Sequence, residues 1–242
     1  VRLIKAEGCN RINEGLTLIR RIKERYAFLE KHARVLIGIS GGVDSAVLLA
    51  LLHEYNERYA QGWSLHACHV SMNMRYAPAG SVSWCESYNV PYTIIKGQFP
   101  GTASERLSTC YRCARQRRQK LLEVAESMNI QQIALAHHKQ DVAETFLLNT
   151  MYNGEISTLL PKQSVIQGRH FFIRPLYGFE KKMINTIASI YGFKISRTAC
   201  PYFKNSKRNN VRTFLEQCHR QNPDVYKNIF RALSHVKRAY LP

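Results

Sequence analysis

The sequence is short of acid: 17 Asp and Glu stand against 35 Lys and Arg in 242 residues, a formal net charge of +18. Self-repulsion of that size is costly unless a polyanion neutralises it, so nucleic acid is the expected partner, bound in a strongly salt-dependent way. Long apolar runs are missing. The longest near the first motif, Ala46 to Leu52, falls far short of the ~20 residues that a spanning helix needs. The stretch Val1-Arg2-Leu3-Ile4-Lys5-Ala6-Glu7 has no apolar segment of the secretory kind, so a soluble, cytoplasmic protein with no membrane partner is expected. The chain begins with Val rather than Met, and its true start can lie upstream. There is no internal repeat, low-complexity tract or Gly/Ser linker. The seven cysteines (Cys9, Cys68, Cys85, Cys110, Cys113, Cys200 and Cys218) are odd in number, which disfavours a disulfide framework.

Apolar spacing gives the organisation. Residues 10–31 read as an amphipathic helix, and Arg34 to Ile39 as a strand buried on both faces. A helix over Val43–Tyr59, a strand over Ser64–Val70, a helix over Ala79–Tyr88 and a strand over Pro91–Ile95 follow. A basic helix is expected over Arg112–Met128, a strand over Gln132–Ala136 and a helix over His138–Tyr152. Strand–helix alternation of this kind predicts a doubly wound, mainly parallel α/β sheet. Beyond Phe171-Phe172-Ile173, a short strand, the tail is basic and helical, with helices near 179–191, 209–219 and 223–239. The expected division is 1–165 for the α/β domain and 166–242 for a helical extension.

Ser40-Gly41-Gly42-Val43-Asp44-Ser45 leaves the first buried strand and opens a helix. Paired glycines allow positive φ and leave no Cβ between backbone N–H groups and an anion. The helix start favours negative charge at the same place. Ser40 and Ser45 can add hydroxyl donors to phosphate. Asp44 would repel phosphate unless a magnesium ion or an orienting hydrogen bond absorbs its charge. The string lacks the Gly-Lys-Ser/Thr ending of a Walker loop.

Ser-Gly-Gly-x-Asp-Ser resembles the signature of the PP-loop ATP pyrophosphatases, which adenylate a carbonyl and release pyrophosphate. The resemblance implies a Rossmann-like fold and an ATP site at Ser40 to Ser45. Ala134-Leu135-Ala136-His137-His138-Lys139-Gln140-Asp141 is similar to the His-His-x-Asp-Asp segment of the tRNA-modifying members, with His137 as an ATP contact and Asp141 matching the second Asp. Gln140 replaces the first. Cys110-x-x-Cys113 with Ala114-Arg115-Gln116-Arg117-Arg118 resembles the tRNA 2-thiocytidine synthetase family. So do Asn149 to Gly154, Leu160-Pro161-Lys162 and Ile173-Arg174-Pro175-Leu176. Val43 departs from the Lys common there, and Arg208-Asn209-Asn210-Val211-Arg212 is similar to the lysidine synthetases, which have no use for the cysteine pair.

That pair fits thioredoxin chemistry poorly; zinc, which normally needs two such pairs in a structural site, and no metal at all are the alternatives to an iron–sulfur cluster. The resemblance implies a 4Fe–4S cluster on Cys110, Cys113 and Cys200, with Cys9 and Cys218 as rivals for the third place. The implied activity is ATP- and magnesium-dependent thiolation of a tRNA cytidine, with Asp44, Asp141, Cys110 and Cys113 in the chemistry. Sulfur would come from sulfide or a cysteine desulfurase. Arg112, Arg115, Arg118, Lys204, Lys207, Arg208 and Arg212 are the expected tRNA contacts, and Tyr111 or Phe203 could stack on the base. Lysidine synthesis, base desulfuration and a non-catalytic RNA-binding role are the alternatives. The sequence is silent on oligomeric state, and a homodimer is compatible with it.

Overall fold

The computed structural model describes residues 6–72, 80–98, 106–193 and 206–240. Six strands form one sheet: β1 (Arg34–Gly38), β2 (Ser64–Met72), β3 (Tyr92–Gly97), β4 (Gln132–Ala134), β5 (Lys162–Val165) and β6 (His170–Ile173), in the order β3-β2-β1-β4-β6-β5. All neighbours are parallel except β5, which runs antiparallel to β6 at the edge. Helices α1 (Ala6–Tyr26), α2 (Val43–Arg58), α3 (Ser81–Ser87), α4 (Arg106–Ser127), α5 (Lys139–Asn153), α6 (Lys181–Tyr191), α7 (Lys207–Gln221) and α8 (Val225–Ala232) complete the described elements, with a 3-10 turn at Arg238–Tyr240.

Each face of the sheet carries its own core. On β1, Val35 and Ile37 point into the cluster built with α1, α2 and α6, and Leu36 points into the cluster beneath α4, as the strand period of two requires. Both faces are covered, so β1 reads as an unbroken apolar run. Helix α2 is buried almost all round and shows little amphipathicity for the same reason. Helices α5, α7 and α8 pack together through Ala143, Val211 and Leu215. No helix among the described residues is long and apolar enough to cross a membrane.

Four elements differ from expectation: α1 ends at Tyr26 and α8 at Ala232, short of the expected 31 and 239. Helix α4 starts at Arg106, so Cys110, expected ahead of the helix, lies within it together with Cys113. Strand β5 was not anticipated, because a four-residue edge strand of Lys-Gln-Ser-Val has no apolar run to betray it. The division expected near residue 165 falls inside the β5–β6 pair, and β6 belongs to the sheet through β4.

Chain order reverses in space between β1 and β4, the strands that flank the topological switch point. Ligands of open α/β sheets bind in the crevice outside the carboxyl ends there. Both motifs leave the sheet at this crevice.

Candidate functional site at the β1–β4 crevice

Chain direction changes at Gly41, whose φ of +84° is costly for any residue with a Cβ. Serine hydroxyls then lace the elbow. The Ser45 hydroxyl donates to the Gly42 carbonyl at 2.9 Å and accepts from the Ser40 N–H at 3.2 Å, and the Gly42 N–H donates to Ser40 Oγ at 3.3 Å. Val43 turns its side chain into the core, so this residue can offer an anion only its backbone N–H.

Asp44 is not left to repel. The Lys181 ammonium, from the first turn of α6, is bonded to Asp44 Oδ1, and His138 Nε2 lies 3.9 Å from Oδ2. The starts of α2, α5 and α6 therefore meet at one point. Gln140 Oε1 accepts from the Lys181 N–H at 3.1 Å, and the Lys139 N–H donates to the Phe179 carbonyl at 3.0 Å. Three helix N-termini aimed together favour an anion.

His137 and His138 do different work. Buried Arg174 donates its Nε–H to His137 Nδ1 at 3.2 Å. An accepting Nδ1 places the single proton of the neutral ring on Nε2. Burial, with Arg174 and Arg208 adding to it, pushes the His137 pKa down to about 3 against the pull of Asp141. The ring is thus a neutral Nε2–H donor at physiological pH. Arg174 also bonds the Leu160 carbonyl and, at 3.1 Å, Gln163 Oε1. Burial and the nearby Arg118 lower its own pKa to about 10.

Asp141 accepts from the His138 N–H at 3.0 Å, closing the first turn of α5, and from Arg208 Nη2 at 2.9 Å. Burial pushes its carboxyl upward, but His138, Arg208 and His137 outweigh that and hold it below the usual carboxylate range. One turn on, buried Glu144 takes Arg208 Nε at 3.0 Å and Arg212 Nε at 2.7 Å. Arg208 and Arg212, expected at tRNA, are paired with these carboxylates, with side chains 40% and 35% exposed. A cleft of about 690 Å³ opens from Asp44 and His138 along Lys181, Asn185 and Arg212.

Cys110 and Cys113 lie three residues apart on α4, hence on one face of the helix, and both are half-buried. The Arg117 guanidinium comes within 3.8 Å of Cys113 Sγ. Arg117 also bears on His69, whose Nδ1–H donates to the Ile39 carbonyl at 2.8 Å, beside the elbow. Arg118 bears on Arg174. Cys113 packs against the cluster that holds Val70 and Met72, at the carboxyl end of β2. Iron–sulfur clusters take Cys ligands, and of this pair Cys113 lies within reach of the Arg117 guanidinium. Cys68 and Cys85 are buried as small core residues, and desolvation lifts both thiols to about 11. Cys200, Phe203 and Lys204 lie outside the described residues. Lys207 sits over the Tyr152 ring at 4.7 Å, while Tyr111 and Arg115 are exposed.

Sequence reasoning missed Lys181, His138, Arg174 and Glu144. The spacing held one signal: Asp141 and Glu144 share a helix face, as do Arg208 and Arg212, with complementary charge.

A family model of the PP-loop domain matches residues 15–218. A tRNA-cytidine(32) 2-sulfurtransferase of Alkalilimnicola ehrlichii is 32% identical over 222 residues, which is 89% of this chain and 71% of that protein. The chain belongs to the PP-loop family, beside these sulfurtransferases. The protein of the same name from Cupriavidus necator is 30% identical over 222 residues, with the same 89% and 71% covered. Among solved structures, the U34-tRNA thiolase NcsA from Methanococcus maripaludis, with its 4Fe-4S cluster, superposes with a TM-score of 0.75 at 24% identity, covering 94% of this PP-loop chain and 81% of that one. An NMN synthetase from Francisella tularensis shares the fold more loosely, with a TM-score of 0.52 at 16% identity and 85% and 86% covered. The fold by itself therefore does not choose a substrate.

Proposed function

We propose that this protein thiolates a cytidine of tRNA in the cytoplasm, using ATP to activate the C2 oxygen and replacing that oxygen with sulfur. The single observation that supports the reading is that Asp44 of the elbow and Asp141 line one cleft, in a chain that carries Cys110-x-x-Cys113 and whose relatives are named tRNA-cytidine(32) 2-sulfurtransferases.

A carbonyl oxygen on a pyrimidine is a poor leaving group. Attack of that oxygen on the α-phosphorus of ATP expels pyrophosphate and leaves the oxygen as part of a bound adenylate. Backbone N–H groups of Gly41, Gly42 and Val43, with Ser40 and Ser45, hold the leaving pyrophosphate. Asp44 and Asp141 would hold the magnesium that accompanies ATP. His137 Nε2–H donates to a phosphate oxygen at the point where charge grows, and its neutrality lets it do so without taking up a proton. Sulfur then attacks C2, and AMP departs with the former base oxygen. Cys110, Cys113 and Cys200 would hold a 4Fe–4S cluster, which when bound supplies a place where sulfur is kept ionised at neutral pH. The sulfur comes from sulfide or a cysteine desulfurase. Arg112, Arg115, Arg118, Lys204 and Lys207 take RNA phosphates, while Arg208 and Arg212 orient Asp141 and Glu144.

The test is anaerobic incubation of the iron-loaded protein with unmodified tRNA, magnesium ATP and sulfide, followed by mass spectrometry of the nucleosides. The expected result is 2-thiocytidine, with one AMP and one pyrophosphate for each sulfur gained. Lysine incorporation, sulfur loss from thiolated tRNA, or no product at all would overturn the reading.

A further inference from the structure

The phosphate elbow carries no cation of its own. Ser40, Gly41, Gly42 and Ser45 are neutral, Val43 is 7% exposed in the core, and the charged member, Asp44, has the wrong sign for a triphosphate. Helix starts and backbone N–H groups supply partial charges only. A triphosphate tail brings several full ones.

We propose that Lys181 is the missing cation: it holds Asp44 while the crevice is empty and passes to the β- and γ-phosphate oxygens when ATP arrives with magnesium. The inference rests on the reading of the elbow as the phosphate site. Its root is fixed and its head is not. Lys181 opens α6, its backbone N–H is held by Gln140 Oε1 at 3.1 Å, and Ile184, Ile187 and Ala188 anchor the helix in the core. The ammonium, by contrast, is bonded to Asp44 with a side chain 36% exposed, at the edge of the cleft. A four-carbon stem lets it swing, and a compact ammonium suits a phosphate tail as a point charge. Its neighbours are less suited. Lys139 is engaged with Glu180 at 2.9 Å and with the Phe230 ring at 5.7 Å. Among the described residues, Lys181 is the lysine whose head group contacts the elbow.

The exchange keeps every charge paired. The ammonium leaves Asp44 for phosphate, and the freed Asp44 carboxylate would hold the magnesium. Metal-free ATP offers no such trade, because it would strip Asp44 of its partner and face it with more negative charge. Asp44 and Lys181 therefore make binding of nucleotide and metal one event.

The experiment is calorimetric titration of AMP, ADP, ATP and pyrophosphate into the purified protein with magnesium, without tRNA or sulfide. Lys181→Met is expected to weaken ATP and pyrophosphate by roughly tenfold or more, the order for a charge-assisted contact, and to leave AMP within about twofold. Lys181→Arg should keep most of the affinity. Asp44→Asn, which releases the ammonium, should bind metal-free ATP more tightly than the wild type. The Lys181–Asp44 pair is partly exposed and contributes little to folding, so these variants should melt as the wild type does. Equal losses for AMP and ATP, or unchanged ATP binding in Lys181→Met, would overturn the assignment to the phosphates. If the wild type bound none of these ligands, the elbow reading itself would fall, and this inference with it.

Discussion

Arg208 and Arg212 on α7, and Arg112, Arg115 and Arg118 on α4, look alike as basic runs, yet the fold uses them differently. The α7 pair turns inward onto Asp141 and buried Glu144 and ties the helical region to the catalytic edge. On α4, Arg112 and Arg115 stay exposed and Arg118 half-buried, beside two half-buried thiols. One set is paired with carboxylates of α5; the other stands on the cysteine-bearing layer over the sheet's second face. A net charge counts both equally, and so overstates the surface that RNA meets.

The sharpest way to break this contrast is through the thiols. Cys113→Ser is expected to abolish thiolation and to lower bound iron from about four atoms to below one, while the urea midpoint hardly moves. Iron retained at the wild-type level would contradict the role given to α4. Next in size is Glu144→Ala, which strands two guanidiniums. A broken buried pair costs about 3 kcal/mol or more, but Arg208 and Arg212 can partly rehydrate, so a loss of about 2 kcal/mol is expected in urea unfolding. An unchanged midpoint would place α7 with α4 as surface charge.

RNA binding should show the reverse pattern. Arg115→Glu should leave stability alone, weaken tRNA binding several-fold, and flatten the salt dependence by about 0.7 for each lost single-strand contact. Binding curves at several salt concentrations decide it, and an unaltered slope would remove Arg115 from the interface. The smallest effect concerns His137. Above pH about 6.5 its ring is neutral in both folded and unfolded chains. As pH falls from there toward about 3, the unfolded chain takes up a proton that the folded one does not, so stability drops by at most ~1.4 kcal/mol per pH unit. His137→Gln should flatten the decline between pH 7.5 and 5, leaving the part that His66 and His69, also lowered by burial, contribute with the same sign. Identical declines in denaturant midpoints would refute the neutral-donor role.

Much of this was legible in the chain because the signals were local. Val35 to Ile37 announce a strand buried on both faces, and Gly41 announces the turn. The residues that complete the crevice were not legible, since their meaning is a distance across the fold. Lys181 lies 137 residues from Asp44, and nothing around it in sequence marks an ammonium that will meet a carboxylate. Arg174 stood in a quoted motif without a role, because only packing shows that its guanidinium is buried against His137. Strand β5 hid for a third reason: a polar edge strand has no apolar period to read.

The central claim is that the elbow activates the base and the α4 thiols serve the sulfur step of the same reaction, and tRNA-dependent exchange of labelled pyrophosphate into ATP separates the two. Cys113→Ser should retain the exchange while yielding no thionucleoside, and Asp44→Asn should lose both. Exchange lost with the thiol, or thionucleoside formed without Asp44, would contradict the account.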